Sequence, residues 1–212
     1  MHCTLCRRSA IVTVVMATST ERMPPLRVWR IPRLRYETMV KRGTFDEGDP
    51  IELLDGLLVV REPEGSRHAA LVGHIRGVLE RAFGRGFHVR EDKPFALDDA
   101  SEPEPDLVVL RGRQLDYIDA HPTAPALVLE VAMTSLAKDR LRKGGLYARA
   151  RIADYWIVNL IDEVLEVYRD PVRTPSRRYG WKYRSVRLLK RGAHVSPLAA
   201  PRSRIRVADL LP

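Results

Sequence analysis

The segment LVLEVAMTSLAKDRLRKGGLY, residues 127–147, restricts the fold more than any other part of the chain. It begins with an apolar run that has the length and composition of a buried strand. A helix-like segment follows directly, and a second apolar run, DYWIVNL, comes after it. Because strands and helices in alternation pack as layers, this segment predicts an α/β protein.

The rest of the chain predicts two more helices and several strands. RLRYETMVKRG is typical of a short helix that ends at Gly43, and IELLDGLLVV predicts a hairpin that turns at Asp55 and Gly56. SRHAALVGHIRGVLERAFG has apolar residues at helical spacing, with Ser66 as the predicted N-cap and Gly84 as the stop. Further strands are predicted at FHVRED, PFALD, LVVLR, VLEVYRD and RYGWKYRSVRLLKRG. This order describes a mixed β-sheet flanked by helices.

The domain boundaries follow from where this patterning begins. We expect residues 26–212 to form one domain, because neither an internal repeat nor a low-complexity linker divides them. Residues 1–25 carry no periodic pattern, and we interpret them as a disordered tail or a mis-assigned start. In the second case Met16 or Met23 is the expected first residue.

Composition restricts the partners and the compartment. A net charge of +9 is compatible with a polyanionic partner such as nucleic acid, although this excess is too modest to identify one alone. Cys3 and Cys6 are the two cysteines, and a lone Cys-x-x-Cys pair lacks the second ligand pair of a zinc site. Without a disulfide framework, we expect a reducing cytoplasm. The sequence contains no apolar run long enough to span a bilayer, so we expect no membrane partner.

Two carboxylates lie where aliphatic side chains are expected. Asp106 opens the apolar run LVVL, and Glu130 lies near the end of LVLEV. Such charges are costly unless they are paired or bind a metal, and a hard cation such as Mg²⁺ takes one or two carboxylates. Lys143 follows Glu130 on a predicted helix face that also carries Asp139. Lys143 therefore either reaches back to the carboxylates or forms an ordinary exposed pair with Asp139.

Five segments together resemble a known family. ELLDG, GSRHA, SEPEPDLVVLR, LEVAMTSLAKDRLRKGGLYA and DYWIVNL are similar to the Uma-type restriction-endonuclease family of the PD-(D/E)xK nuclease superfamily. The resemblance extends from about Val28 to Leu211 and implies a restriction-endonuclease-like fold. It also implies hydrolysis of phosphodiester bonds with bound Mg²⁺, or Mn²⁺ in its place.

The resemblance assigns roles to individual residues. Asp106 and Glu130 match the acidic residues of the motif, and the backbone carbonyl of Val131 is implied as the third metal ligand. Ala132 stands where the superfamily motif has its lysine. Members of the family commonly carry this lysine on the following helix, and Lys143 occupies that position. From helix geometry we expect Lys138 to point away from Lys143, about 140° around the axis, and to be unable to replace it.

Glu52 and His68 also match positions of the family, and each has two alternative roles. Glu52 either adds a carboxylate to the site or is a solvent-facing hairpin residue. His68 lies in the first turn of its helix and either binds water, phosphate or a carboxylate or is structural. Met133 and Thr134 depart from the residues that relatives usually carry before Ser135.

Two functions from different classes are compatible with these residues. The first is a metal-dependent endonuclease that acts on DNA, with a homodimer as a possible arrangement for cutting both strands. The alternative is a non-catalytic nucleic-acid-binding or regulatory protein that retains the nuclease fold, because a fold does not determine a function.

The tail assignment predicts that a chain starting at Met23 has nearly the same melting temperature as the full chain, because the omitted residues contribute no core. Thermal denaturation followed by circular dichroism measures this. A large drop in melting temperature would show that the tail packs on the domain.

Overall fold

The computed structural model describes residues 27–46, 48–61 and 65–211 of the chain. The prediction for residues 1–25 lies outside these residues and stays a prediction. Within the described part, no helix is both long and apolar enough to cross a membrane.

The described chain folds into ten strands, four α-helices, one π-helical turn and two short 3₁₀ helices. The helices are α1 (Arg33–Lys41), α2 (Ser66–Phe83), α3 (Leu136–Lys138), the π turn (Asp139–Lys143) and α4 (Gly144–Arg149), with 3₁₀ turns at Gln114–Tyr117 and Val207–Asp209. The strands are β1 (Ile51–Leu54), β2 (Leu57–Val60), β3 (Phe87–Glu91), β4 (Leu107–Arg111), β5 (Leu127–Ala132), β6 (Asp154–Asn159), β7 (Val164–Arg173), β8 (Trp181–Leu189), β9 (His194–Val195) and β10 (Ile205–Arg206).

Six strands form the main sheet, in the order β3-β4-β5-β6-β7-β8. All neighbouring pairs are antiparallel except β5 and β6, which run parallel with Glu130 opposite Ile157. A parallel pair needs a crossover connection, and α3, the π turn and α4 supply it. The predicted α/β class, with a mixed sheet flanked by helices, is confirmed.

Both faces of the sheet are covered, which explains why every residue of β5 except Glu130 is apolar. Leu129 and Val131 face one core, to which α2 contributes. Val128 and Ala132 face the second core, to which α4 contributes. A strand with two buried faces needs aliphatic residues at successive positions rather than in alternation. Glu130 lies on the second face, beneath the crossover helices.

The hairpin β1–β2 turns where the sequence predicts. Asp55 and Gly56 have φ values of 53° and 77°, as a two-residue turn between twisted strands requires. Leu53 forms a bridge with Glu102, and this contact attaches the hairpin to the loop that leads into β4. The hairpin therefore carries its neighbour, Glu52, to the edge of the main sheet.

Three local predictions differ from the structure. Ser66 is the first helical residue of α2, and Gly65 is the N-cap. PFALD, residues 94–98, lies in a loop apart from one bridge at Asp98, although Phe95 and Leu97 are buried as strand residues would be. The predicted helix from Ser135 to Ala150 is interrupted by the π turn.

Gly145 allows the β7–β8 hairpin to pack on α4. A Cβ at this position would lie 2.6 Å from Cδ2 of Tyr179, well inside van der Waals contact. A glycine within a helix costs about 1 kcal/mol relative to alanine. Close contact with Tyr179 explains why glycine nevertheless stands here.

We predict opposite effects for two Gly→Ala substitutions. Gly145→Ala should lower the free energy of unfolding, because overpacking against Tyr179 costs about 1–3 kcal/mol and exceeds the gain in helix propensity. The control is Gly73→Ala in α2, where a Cβ would meet no atom within 4 Å and where stability should rise by about 0.5–1 kcal/mol. Urea denaturation measures both, and equal stabilisation of the two variants would contradict this packing.

Candidate active site

All six residues expected at the site line one cavity of about 230 Å³. Glu130 and Val131 come from the end of β5, and Asp106 lies immediately before β4. The remaining three come from β1, from the first turn of α2 and from the π turn; they are Glu52, His68 and Lys143. The sheet, the hairpin and two helical segments therefore meet at this point.

Lys143 and Glu130 form the centre of the site. Lys143 Nζ donates hydrogen bonds to Glu130 Oε1 at 2.9 Å and to Oε2 at 3.1 Å. Lys143 is 4% exposed and Glu130 is 2% exposed. The hydroxyl of Tyr147 donates a further bond of 2.9 Å to Glu130 Oε1. The alternative of an exposed Asp139–Lys143 pair is wrong, because both of these side chains are buried.

Asp106, His68 and the Val131 peptide form a second group beside this pair. The backbone N–H of Val131 donates to Asp106 Oδ2. His68 Nε2 lies 3.1 Å from the Val131 carbonyl oxygen and 3.4 Å from Asp106 Oδ2. A ring with its proton on Nε2 donates to the carbonyl. Two of the three metal ligands that the resemblance implies, the Asp106 carboxylate and the Val131 carbonyl, therefore lie next to His68.

Glu52 is completely buried, so its alternative role as a solvent-facing residue is excluded. Its Oε2 lies 3.7 Å from Lys143 Nζ and accepts a bond from the backbone N–H of Glu104. Its Oε1 lies 3.8 Å from Lys138 Nζ. Lys138 was expected to point away from Lys143, but both lysines line the cavity and both approach Glu52. A simple helical projection failed here because it assumed an uninterrupted α-helix.

The π turn explains how the helix reaches the cavity. The N–H of Gly144 donates to the carbonyl of Asp139, five residues earlier, and the hydroxyl of Tyr155 donates to the same oxygen. A Cβ on Gly144 would lie 3.1 Å from that oxygen, which is closer than most side chains allow. The turn is anchored on the sheet by Arg140, which pairs with the buried Glu166 of β7. Single π turns of this kind are frequent at functional sites.

Sequence reasoning left nine cavity residues unassigned to the site, and three of them are charged residues close to Glu52 or Glu130 in the structure or in the chain: Glu104, Asp139 and Lys138. Glu104, two positions before Asp106, lines the cavity and accepts a bond from Arg61 at 2.6 Å. Asp139 is buried and accepts a bond of 2.6 Å from the hydroxyl of Ser135. Lys138 is the third. Glu104 belongs to the segment SEPEPD, so its place in a matched motif was the one signal that could have identified it.

Burial makes the carboxyl groups of the cavity harder to ionise, and a positive charge added nearby would oppose this effect. Burial raises the pKa of Glu130, with Lys143 opposing the rise and Asp106 and Asp139 adding to it. Burial likewise raises the pKa of Asp139, against the opposing effect of Lys143, and that of Glu104, against Arg61. Each of these carboxyls is more easily ionised when a cation is near.

The ammonium group of Lys143 remains charged in this environment. Burial lowers its pKa, but the nearby carboxylates raise it by more, Glu130 first and Glu52 next, so the net shift is upward. Burial also raises the pKa of Tyr147 well above its ordinary value, and Glu130 adds to that rise. At neutral pH, Lys143 and Tyr147 are therefore both hydrogen-bond donors to Glu130.

The donors present fit a hard divalent cation. Asp106, Glu130 and the Val131 carbonyl offer oxygen ligands only, and Mg²⁺ typically takes one or two carboxylates and retains several waters. Among the described residues, no three His, Cys, Asp or Glu side chains are grouped as a complete metal site. The fit thus depends on a backbone oxygen and on waters in addition to the two carboxylates.

We predict strong energetic coupling between Lys143 and Glu130. Lys143→Met should lower the free energy of unfolding by about 3 kcal/mol or more, because it leaves a buried carboxylate without its cation. Adding Glu130→Gln should recover part of this loss, with a coupling energy of about 1–3 kcal/mol. Lys138→Met, at a side chain that is 23% exposed, is the control and should cost less than about 1 kcal/mol. Urea denaturation of Lys143→Met, Glu130→Gln, the double variant and Lys138→Met gives the four free energies of unfolding. Additive effects of Lys143→Met and Glu130→Gln would contradict the coupling.

Comparisons with known proteins agree with this fold. A crystal structure of a putative nuclease belonging to DUF820 from Anabaena variabilis matches with a TM-score of 0.57. The match covers 81% of this chain and 96% of that chain, at 15% sequence identity, and so shows a shared fold. A search of curated proteins gave no match.

A family model covers most of the chain. The Uma2 model, described as "Putative restriction endonuclease", matches residues 35–207. The match includes every residue of the cavity described above. It extends from α1 to the start of the last 3₁₀ turn, so the main sheet and the second core lie within it. The chain belongs to the Uma2 family of restriction-endonuclease-like proteins.

Proposed function

We propose that this protein is a metal-dependent endonuclease that hydrolyses phosphodiester bonds in DNA. The observation that carries the proposal is that Asp106, Glu130 and Val131 line one cavity together with Lys143. Oxygen ligands and a buried lysine are the groups that phosphodiester hydrolysis uses, because the reaction needs an activated water and stabilisation of charge on the phosphate.

In this proposal Asp106, Glu130 and the Val131 carbonyl hold Mg²⁺, or Mn²⁺ in its place. The bound cation would lower the pKa of a water molecule and stabilise charge on the phosphate. His68 Nε2 lies against two of these oxygens, and its role is to hold them in position. Family membership supports the assignment of the two carboxylates.

Lys143 acts as a fixed positive charge. Its raised pKa keeps it protonated, so it does not serve as a general base at neutral pH. Its ammonium group is directed by Glu130 and Glu52 and lies on the wall of the cavity, where a phosphate would bind. Such a charge, placed before the reaction begins, stabilises the negative charge that develops on the phosphate in the transition state. Glu52 acts through Lys143 and is a positioning residue.

The proposal predicts cleavage of DNA that requires a divalent cation and Asp106. Purified protein should cut DNA with Mg²⁺ or Mn²⁺ and not with EDTA. Asp106→Ala should reduce cleavage to background and weaken Mn²⁺ binding in calorimetry. The control is Asp119→Ala, which removes an exposed carboxylate outside the cavity and should leave both properties unchanged. Linear, supercoiled, branched and single-stranded DNA, together with RNA, are the substrates to compare.

Lys143→Met tests the role of the lysine charge separately from the role of the metal ligands. It should lower the cleavage rate by at least about a hundredfold while Mn²⁺ binding is retained. Cleavage that persists in EDTA or in Asp106→Ala would contradict the proposal. Binding of DNA without cleavage of any substrate, with either cation, would instead indicate a non-catalytic protein that retains the fold.

A further inference from the structure

The positive charge of the chain is concentrated in one segment. Residues 171–208 contain eleven Lys and Arg residues and no Asp or Glu. Since the whole chain has 36 basic and 27 acidic residues, everything outside this segment carries a net charge of −2. All eleven basic side chains are exposed. The net charge of +9 is therefore a property of one segment of the chain.

The β7–β8 hairpin, from Arg173 to Lys182, carries four of these eleven basic side chains. Arg184 pairs with Asp170 and Arg206 pairs with Asp209, so these two charges are locally neutralised. Of the four exposed basic side chains of the hairpin, Arg178 lies over the ring of Tyr179, while Arg173, Arg177 and Lys182 have no carboxylate partner among the described residues. Such cations are available to an external anion.

The hairpin is held against the helix that follows the candidate catalytic lysine. The ring of Tyr179 packs on Gly145, two residues after Lys143. The guanidinium of Arg149 lies 5.7 Å from the centre of the same ring, and that of Arg151 lies 5.6 Å from the ring of Trp181. The hairpin and the cavity are thus linked through a single short helix, α4.

The chemistry of the hairpin favours a polyanion over a membrane. Its tip, TPSRRYG, has no aliphatic residue that could enter a bilayer, and its one aromatic ring is packed on α4. A membrane-binding loop combines basic residues with exposed apolar ones. A nucleic-acid backbone needs only cations at a suitable spacing, because phosphate contacts fix position without reading sequence.

We infer that the β7–β8 hairpin is a docking arm for the phosphate backbone of duplex DNA, beside the cavity. This inference rests on the proposed function for its choice of DNA as the polyanion. The arm binds and orients the duplex through Arg173, Arg177 and Lys182, and takes no part in the chemical step.

The test compares two triple substitutions that remove the same charge. The first is Arg173→Gln, Arg177→Gln and Lys182→Gln. The control, Arg81→Gln, Arg85→Gln and Arg111→Gln, changes exposed residues near β3, the opposite edge of the sheet. Binding of a fluorescein-labelled DNA duplex is measured by anisotropy in EDTA, over a series of KCl concentrations. A third variant, Arg173→Lys and Arg177→Lys, keeps the charge and serves as the check on folding.

The hairpin variant should bind DNA at least roughly tenfold more weakly, and its plot of log affinity against log salt should be shallower by about 0.9 for each lost phosphate contact. The control and the Lys variant should keep the slope of the original protein. In cleavage assays, KM should rise for the hairpin variant while kcat stays unchanged. Equal slopes for the hairpin and control variants would overturn the inference.

The remaining outcomes separate the arm from the catalytic proposal. If the hairpin substitutions leave cleavage of DNA unchanged, the docking arm is wrong and the endonuclease proposal is retained. Hairpin-dependent binding of DNA without cleavage would support the arm and overturn the endonuclease. Hairpin-dependent binding to phosphatidylserine vesicles, with no binding to DNA, would overturn the arm as stated.

Discussion

Glu130 and Lys143 are charged side chains that are almost completely buried, and the surrounding structure is arranged to keep them in contact. Removing two charges from water costs several kcal/mol per ion, and their attraction offsets this only when the remaining hydrogen-bonding capacity is also used. Tyr147 donates to Glu130, while Glu52 lies close to the Lys143 ammonium group. The helix after β5 must therefore pass directly over the end of that strand. The parallel pairing of β5 with β6 follows from this path, because the same helix then returns to the opposite end of the sheet.

The π turn allows the helix after β5 to pass over the end of that strand. It lies immediately before α4, and its carbonyl at Asp139 is satisfied by Gly144 and Tyr155. Glycine at 144 and 145 is unfavourable for an isolated helix, but each position has a close neighbour that a Cβ would contact. Arg140 fixes the turn to Glu166, which also accepts a bond from Asn159; these bonds outweigh burial and lower the pKa of Glu166. The low helix propensity of the two glycines opposes this helix, and tertiary packing stabilises it nevertheless.

Most of the fold could be predicted from the sequence because it depends on local patterns. The hairpin at Asp55 and the strand β5 have signals that lie within a few residues of the elements themselves. The residues of the cavity were identified by their resemblance to a family, since spacing alone left Lys143 and Glu52 each with two roles. What could not be predicted depends on distant contacts. Burial of Asp139 and the approach of Lys138 to Glu52 result from the π turn, for which the sequence carries no periodic signal.

Separation of charge connects the cavity to the hairpin in the proposed function. The cavity is lined by five carboxyl groups, so a phosphate that enters it is repelled by those that are ionised until a cation is present. The hairpin presents cations without carboxylate partners within the described chain, and these attract the same phosphate backbone with or without a metal. Affinity for nucleic acid would then be supplied mainly by the hairpin, and the dependence on metal would be confined to the scissile phosphate. This division allows the protein to hold a duplex before the catalytic groups are complete, because binding and chemistry use different charges on the two sides of α4.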